Sequence, residues 1–209
     1  MITRNVILTD VLFSLYATDK LKWPALARTH FQRLLYLCAA LSALSNTEWG
    51  YEFSNSLYGP FNGQVSSAAD ELVHRGYAEA LDVRVLRNSK MKANFRITES
   101  GRRNVEFISN LKQERQRLGW IETVSGILNI YGPAVMSKLA YFEPTFIRMK
   151  QENRIGPIDL SIEENQSIQL LHRLSDELKK TYSIHLDTPT SNLIFYFDYM
   201  SRDIGKGRE

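Results

Sequence analysis

The stretch "SLYGPFNGQV", Ser56 to Val65, limits the fold of this chain more than any other segment. Pro60 has no backbone N–H and Gly59 tolerates conformations closed to other residues, so no regular element runs through it. Before the break, Phe31, Leu34, Leu35, Cys38 and Leu41 recur at helical spacing. Tyr36, Leu37, Ala39 and Ala40 occupy the other face, which predicts a helix buried nearly all round. After the break, Val65, Ala69, Leu72 and Val73 share one face, Asn62 is placed as an N-cap, and Gly76 as the stop. Two helices joined by a stiff aromatic turn follow from this. Tyr51, Phe53, Tyr58 and Phe61 flank the turn and are expected to rest their rings on the core.

The neighbouring patterns extend the unit. Leu8, Val11, Leu12, Leu15 and Tyr16 predict a helix that ends before Trp23-Pro24. Residues Ala80, Leu81, Val83 and Val85, then Phe95 and Ile97, alternate with polar residues around "RNSKMKAN", a β-hairpin pattern with a long tip. Val105, Ile108 and Leu111 return to helical spacing. Helix, helix, turn, helix, two-stranded hairpin, helix is the order of a winged helix-turn-helix domain, expected over 1–115.

The remainder, 116–209, reads as a helical extension for partner binding. A second Tyr-Gly-Pro at 131–133 should interrupt a helix, and its flanks do not repeat those of the first. Ser161 and Glu164 fit a capping box ahead of Ile168, Leu171, Leu174, Leu178 and Tyr182. A last helix should turn Leu193, Phe197, Met200 and Ile204 inward. The fold class expected is mainly α, with a two-stranded β-wing and this C-terminal extension.

Catalytic signatures are missing from the sequence. It holds neither GxGxxG nor GxxxxGK[ST], neither GxSxG nor HExxH. One cysteine and four separated histidines (His30, His74, His172, His185) do not make a zinc motif, although a carboxylate metal site built from distant residues would leave no signature. No cofactor, metal or catalytic residue is assigned. Cys38 lies in "LLYLCAAL" and reads as a buried apolar residue. No signal peptide or membrane-length apolar run is seen, so a cytoplasmic protein with no membrane partner is expected.

Charge is uneven. Residues 78–117 hold ten Lys/Arg against five acids, a surplus of five, while the whole chain carries only +3. The wing supplies Arg84, Arg87, Lys90, Lys92 and Arg96 as candidate DNA contacts, and the helix after the turn adds Asn62, Gln64, Ser66 and Ser67. A solvated hairpin whose charges only keep an edge soluble accounts for the wing equally well. On the last helix Ile194, Phe195, Tyr196 and Tyr199 fall outside the inward stripe and are candidate partner contacts, the alternative being a helix fully covered by 120–145.

"HFQRLLYLCAAL", "YEFSNSLYGPFNGQVSSAADELVHRGYAEA" and the hairpin ending "RITESGRR" together resemble the SocA-type winged-helix proteins over about residues 25–103. "KLAYFEPTFIRMKQEN", at 138–153, is similar to the stretch after the winged domain in middle components of ABC-three-component, Lamassu-like anti-phage systems. That resemblance implies a non-catalytic adaptor between an SMC-like ABC ATPase and an effector nuclease, with double-stranded DNA as a further candidate partner. The long C-terminal half departs from the simple antitoxin pattern. A stand-alone winged-helix transcription regulator or antitoxin is the alternative, and a nuclease with an unmarked carboxylate site a third reading.

Overall fold

A computed structural model describes residues 2–85 and 91–206. The chain is mainly helical with a small antiparallel sheet. In order come α1 (Ile2–Lys20), β1 (Leu26–Ala27), α2 (Arg28–Ala40), a 3-10 turn (Ser42–Ser45), α3 (Gly63–His74), β2 (Ala78–Val85), β3 (Met91–Ile97) and α4 (Glu99–Ile108). Then follow α5 (Lys112–Tyr141), α6 (Pro144–Gln151), α7 (Gln166–Tyr182) and α8 (Pro189–Lys206). No helix is long and apolar enough to cross a membrane among the described residues.

The centre of the molecule is α2. Phe31, Leu34, Leu35, Tyr36, Leu37, Cys38, Ala39 and Ala40 are all buried, as its apolar residues on every face require. It packs on α5, and α1 packs on both α3 and α5. The turn at 59–60 forms as expected. Gly59 has φ 113°, and Asn62 caps α3 by accepting hydrogen bonds from the N–H groups of Gln64 (2.8 Å) and Val65 (3.0 Å). Gly76 follows the C-cap with φ 73°.

The sheet has the order β1-β3-β2. Its hairpin pairs Ala78 with Ile97, Glu79 with Arg96, Ala80 with Phe95 and Leu81 with Asn94. The register then slips by a bulge before Arg84 meets Lys92. Asp82 sits at φ 52° inside the bulge, and its carboxylate accepts a hydrogen bond from Asn94 Nδ2 at 3.1 Å. β1, a two-residue strand beside Phe95 and Asn94, is an addition to the two strands expected from sequence.

α4 approaches the sheet through Gly101. A Cβ built there would lie 2.2 Å from the Tyr77 carbonyl oxygen and 2.7 Å from Ile97 Cγ1. The obstruction is backbone, so a side chain cannot rotate out of the way. Gly101→Ala should therefore lower stability by about 2 kcal/mol or more, in the range of overpacked sites, and a denaturant midpoint matching wild type would refute the close approach.

Three expectations need correction here. Leu111 is 65% exposed, because α4 ends at Ile108 and Leu111 is the N-cap residue of α5. α7 is capped by Asn165, not by the Ser161–Glu164 pair. Asn165 Oδ1 accepts from the N–H groups of Ser167 (3.1 Å) and Ile168 (3.2 Å), while its Nδ2 donates to the Ala40 carbonyl at 2.7 Å. The Ser161 carbonyl instead closes a tight turn with Glu164 and Asn165 N–H. Tyr58 and Phe61 do not rest on the core, and are 82% and 45% exposed; only Tyr51 and Phe53 are buried.

The second Tyr-Gly-Pro does interrupt a helix, since Gly132 leaves helical geometry (φ 78°, ψ 166°) within α5. Across residues 115–116, where the sequence reading divides the chain, α5 runs on as helix. Its buried residues Leu118, Trp120, Ile121, Val124, Ile127 and Leu128 join the same core as α1 and α2. Leu193, Phe197 and Met200 of α8 point inward onto that core, and α8 packs on α5. The side chain of Ile204 lies outside the described residues.

Candidate interaction surfaces

The β2–β3 hairpin holds the cations expected there in two settings. Arg96 is exposed and stands across from Glu79, an opposite-charge cross-strand pair. Arg84 and Lys92 are both exposed and stand directly across from one another, a like-charge pair that disfavours the hairpin in isolation. Neither forms an ion pair among the described residues. Arg87 and Lys90 lie outside the described residues.

The helix after the turn is less suited to reading DNA. Asn62 is consumed as a cap, with its Nδ2 donating to the Glu52 carbonyl at 2.7 Å. Ser66 is half-buried, and its carbonyl accepts from Arg28 Nη1 at 2.7 Å. Gln64 and Ser67 remain exposed. Farther along, α3 carries Asp70, bound in two contacts by Arg28, and Glu71, paired with Arg75. With both carboxylates paired to arginines and no Lys or Arg within α3 itself, the helix offers little positive charge to a phosphate backbone.

The four α8 candidates separate cleanly. Ile194 is 45% and Tyr199 39% exposed, and Phe195 is half-buried. Tyr196 is corrected from a partner contact to a core residue, at 1% exposure. Its hydroxyl hydrogen-bonds Ser167 Oγ at 2.7 Å, and Ser167 Oγ in turn donates to Glu143 at 2.5 Å. The Glu143 carboxylate, fully buried, also accepts from the Tyr36 hydroxyl, Thr145 Oγ1 (2.8 Å) and the Phe146 N–H (2.8 Å). Hydroxyl and amide donors from α2, α6 and α7 satisfy this carboxyl group, with no cation bonded to it among the described residues, and α8 is tied in through Tyr196.

A second buried cluster joins the two halves of the chain. Asp10 on α1 accepts two hydrogen bonds from Arg117 on α5, at 2.5 and 2.6 Å. Arg117 also donates to the Glu48 carbonyl at 2.7 Å and stacks on the Trp49 ring at 4.3 Å. Burial pushes the Asp10 carboxyl above its ordinary range, against the pull of the guanidinium. Burial and the Asp10 charge push the nearby Glu114 carboxyl up as well. The Asp10 carboxylate is sealed from solvent and already bound by its arginine, so this is a fastening and not an acid–base pair open to substrate.

Sequence reasoning missed one exposed apolar tip. Leu57 and Tyr58 are 88% and 82% exposed, and Ile155 is 97% exposed on the adjoining loop. The two loops are laced by Asn55 N–H to Gly156 O (3.1 Å), Asn55 Nδ2 to Arg154 O (3.0 Å) and Ile158 N–H to Phe53 O (2.6 Å). Arg33 Nη2 donates to the Tyr58 backbone carbonyl at 3.0 Å and anchors the turn. Nothing in the local sequence pairs 53–61 with 154–158, so the tip was not legible. Among the described residues no three His, Cys, Asp or Glu side chains are gathered as a metal site. No family model matches this chain, and no curated protein is similar to it.

Proposed function

We propose that the chain is a non-catalytic adaptor subunit of a prokaryotic anti-phage defence complex. In this reading residues 1–115 form a winged helix-turn-helix unit and 116–209 an extension that binds partners. The order α1-β1-α2-α3-β2-β3-α4, with β1 beside β3, supports the winged-helix assignment. The partners are an SMC-like ABC ATPase and an effector nuclease, and the wing lies against double-stranded DNA. The resemblance of the Tyr-Gly-Pro region and of 138–153 to such systems is the warrant for naming these partners.

The observation that carries the binding role is the apolar surface left outside one shared core. Ile194 and Tyr199 on α8, and Leu57 and Tyr58 at the tip, are large apolar groups held on rigid supports. Coupling is structural: α8 and α5 share a core with the wing-bearing helices, so a partner on α8 and a nucleic acid at the wing act on one body.

Purification of the tagged chain from its native host tests the reading. Recovery of a large ATPase at fixed ratio supports it. A homodimer that binds one palindromic operator tightly would replace it with the regulator alternative, and magnesium-dependent cleavage by the isolated chain would replace it with a nuclease. For the wing, replacing Arg84, Arg87, Lys90 and Lys92 with Ser should weaken duplex binding and flatten a log–log salt slope of roughly −4 toward zero. An unchanged slope would make the wing a solvated hairpin.

A further inference from the structure

Arg84 and Lys92 stand opposed with no ion pair to either among the described residues, and they border a cleft. This cleft, about 630 Å³, lies between the wing and the start of α2, and is lined by Ala27, Arg28, Thr29, Asp82, Arg84, Lys92, Ala93 and Asn94. Its cations differ in availability. The Arg28 guanidinium is committed to Asp70 and the Ser66 carbonyl and stacks on Phe95 at 4.9 Å, so it forms a fixed wall. Arg84 and Lys92 are exposed and form no ion pair among the described residues. The Asp82 carboxylate also lines the cleft, but Asn94 holds it and it offsets only one of the two wing charges.

The floor of the cleft favours an anion as well. α2 begins after Ala27, whose side chain cannot cap, and there is no acidic residue in the first turn. The Ala27 N–H is taken by His30 Nδ1 at 3.3 Å, while Thr29 is exposed and lines the cleft. A helix of 13 residues, with no side-chain cap from Ala27, therefore begins at a cleft lined by two cations that form no ion pair among the described residues.

We propose that the cleft between the wing and α2 seats one phosphate group, gripped by Arg84 and Lys92 from the hairpin side. The inference rests on the reading of the wing as the element that meets nucleic acid, and makes it specific to two side chains in direct opposition. An anion between them turns a repulsive cross-strand pair into a bridged one. The same chemistry is offered by a phosphodiester of a nucleic-acid backbone and by free phosphate.

The test uses the full chain, with inorganic phosphate as the first probe and a short DNA duplex as the second, both followed by amide chemical shifts. Shifts gathered at Thr29, Arg84, Lys92 and Asn94 with inorganic phosphate are expected. Their loss, with affinity at least tenfold weaker, is expected in Lys92→Glu. That variant should raise the melting temperature, since it replaces a like-charge pair by an opposite-charge one, so misfolding cannot account for the loss. Duplex perturbing the same amides identifies the backbone as the source. Phosphate shifts without duplex binding keep the seat and assign it to a free phosphate, which overturns the nucleic-acid reading alone. Duplex binding with no shifts at these four amides, or phosphate shifts unchanged in Lys92→Glu, overturns the seat.

Discussion

Replacing Asp10 with Ala should cost about 3–5 kcal/mol of stability, because it strands a buried guanidinium. Asp10 is fully buried and the Arg117 side chain is only 10% exposed. Among the described residues no other carboxylate is hydrogen-bonded to Arg117, which also meets the Glu48 carbonyl and the Trp49 ring face. For a chain of this length that loss corresponds to a fall in Tm of roughly 10 °C. Asp10→Ala combined with Arg117→Met should recover a large part of the loss, since the unpaired charge is then gone. Equilibrium denaturation of the two variants provides the measurement. A single variant within about 1 kcal/mol of wild type would show that the pair does not fasten α1 to α5.

Alkaline pH should unfold the protein steeply, through three tyrosines. Burial, with the charge of Glu143, raises the Tyr36 and Tyr196 hydroxyls well above the ordinary tyrosine value of about 10. Burial, with the charge of Asp10, does the same for Tyr51. Each keeps its proton in the folded chain at a pH where the unfolded chain has lost it. The unfolded state then binds fewer protons, so stability falls as pH rises. The contribution is complete below about pH 10 and is lost from there upward to the folded-state values. With three groups the slope approaches about 4 kcal/mol per pH unit above roughly pH 11, from roughly 1.4 for each, and is about half that at pH 10. Tyr36→Phe, Tyr51→Phe and Tyr196→Phe should each remove about a third of it. The Cys38 thiol, also raised by burial, adds to the slope from about pH 9, so the series belongs in a Cys38→Ala background. Stability curves between pH 9 and 11 that keep the wild-type slope in all three variants would contradict the account.

These two predictions depend on features that a sequence shows poorly. α2, the Asn62 cap, the Gly76 stop and the break at Gly132 were legible, because periodicity and Gly, Pro and Asn punctuation act locally. The hairpin was legible from alternation. β1 was not, because two residues carry no alternation. The bulge at Asp82 was not either, and it sets which hairpin cations face one another. Asp10 and Arg117 are 107 positions apart, and each alone reads as a surface charge on an amphipathic helix. Tyr196 read as surplus on α8 because the buried carboxylate that receives it through Ser167 comes from elsewhere in the chain. Asn165 won the cap of α7 over Ser161 for a tertiary reason, since its amide also binds the Ala40 carbonyl at the end of α2.

The candidate surfaces followed the same division. Residue types on the wing and on α8 were readable, whereas exposure decided which of them could meet a partner. Ile194 and Tyr199 passed that filter and Tyr196 did not.

The adaptor reading is tested most directly by affinity purification of the tagged chain beside its Ile194→Asp/Tyr199→Asp variant from the native host. Both substitutions fall on exposed positions, so the variant should melt within a few degrees of wild type. The account predicts that the wild-type chain brings down an SMC-like ATPase at fixed ratio and that the folded variant does not. Retention of the ATPase by the variant, or a wild-type chain that purifies alone, would contradict it.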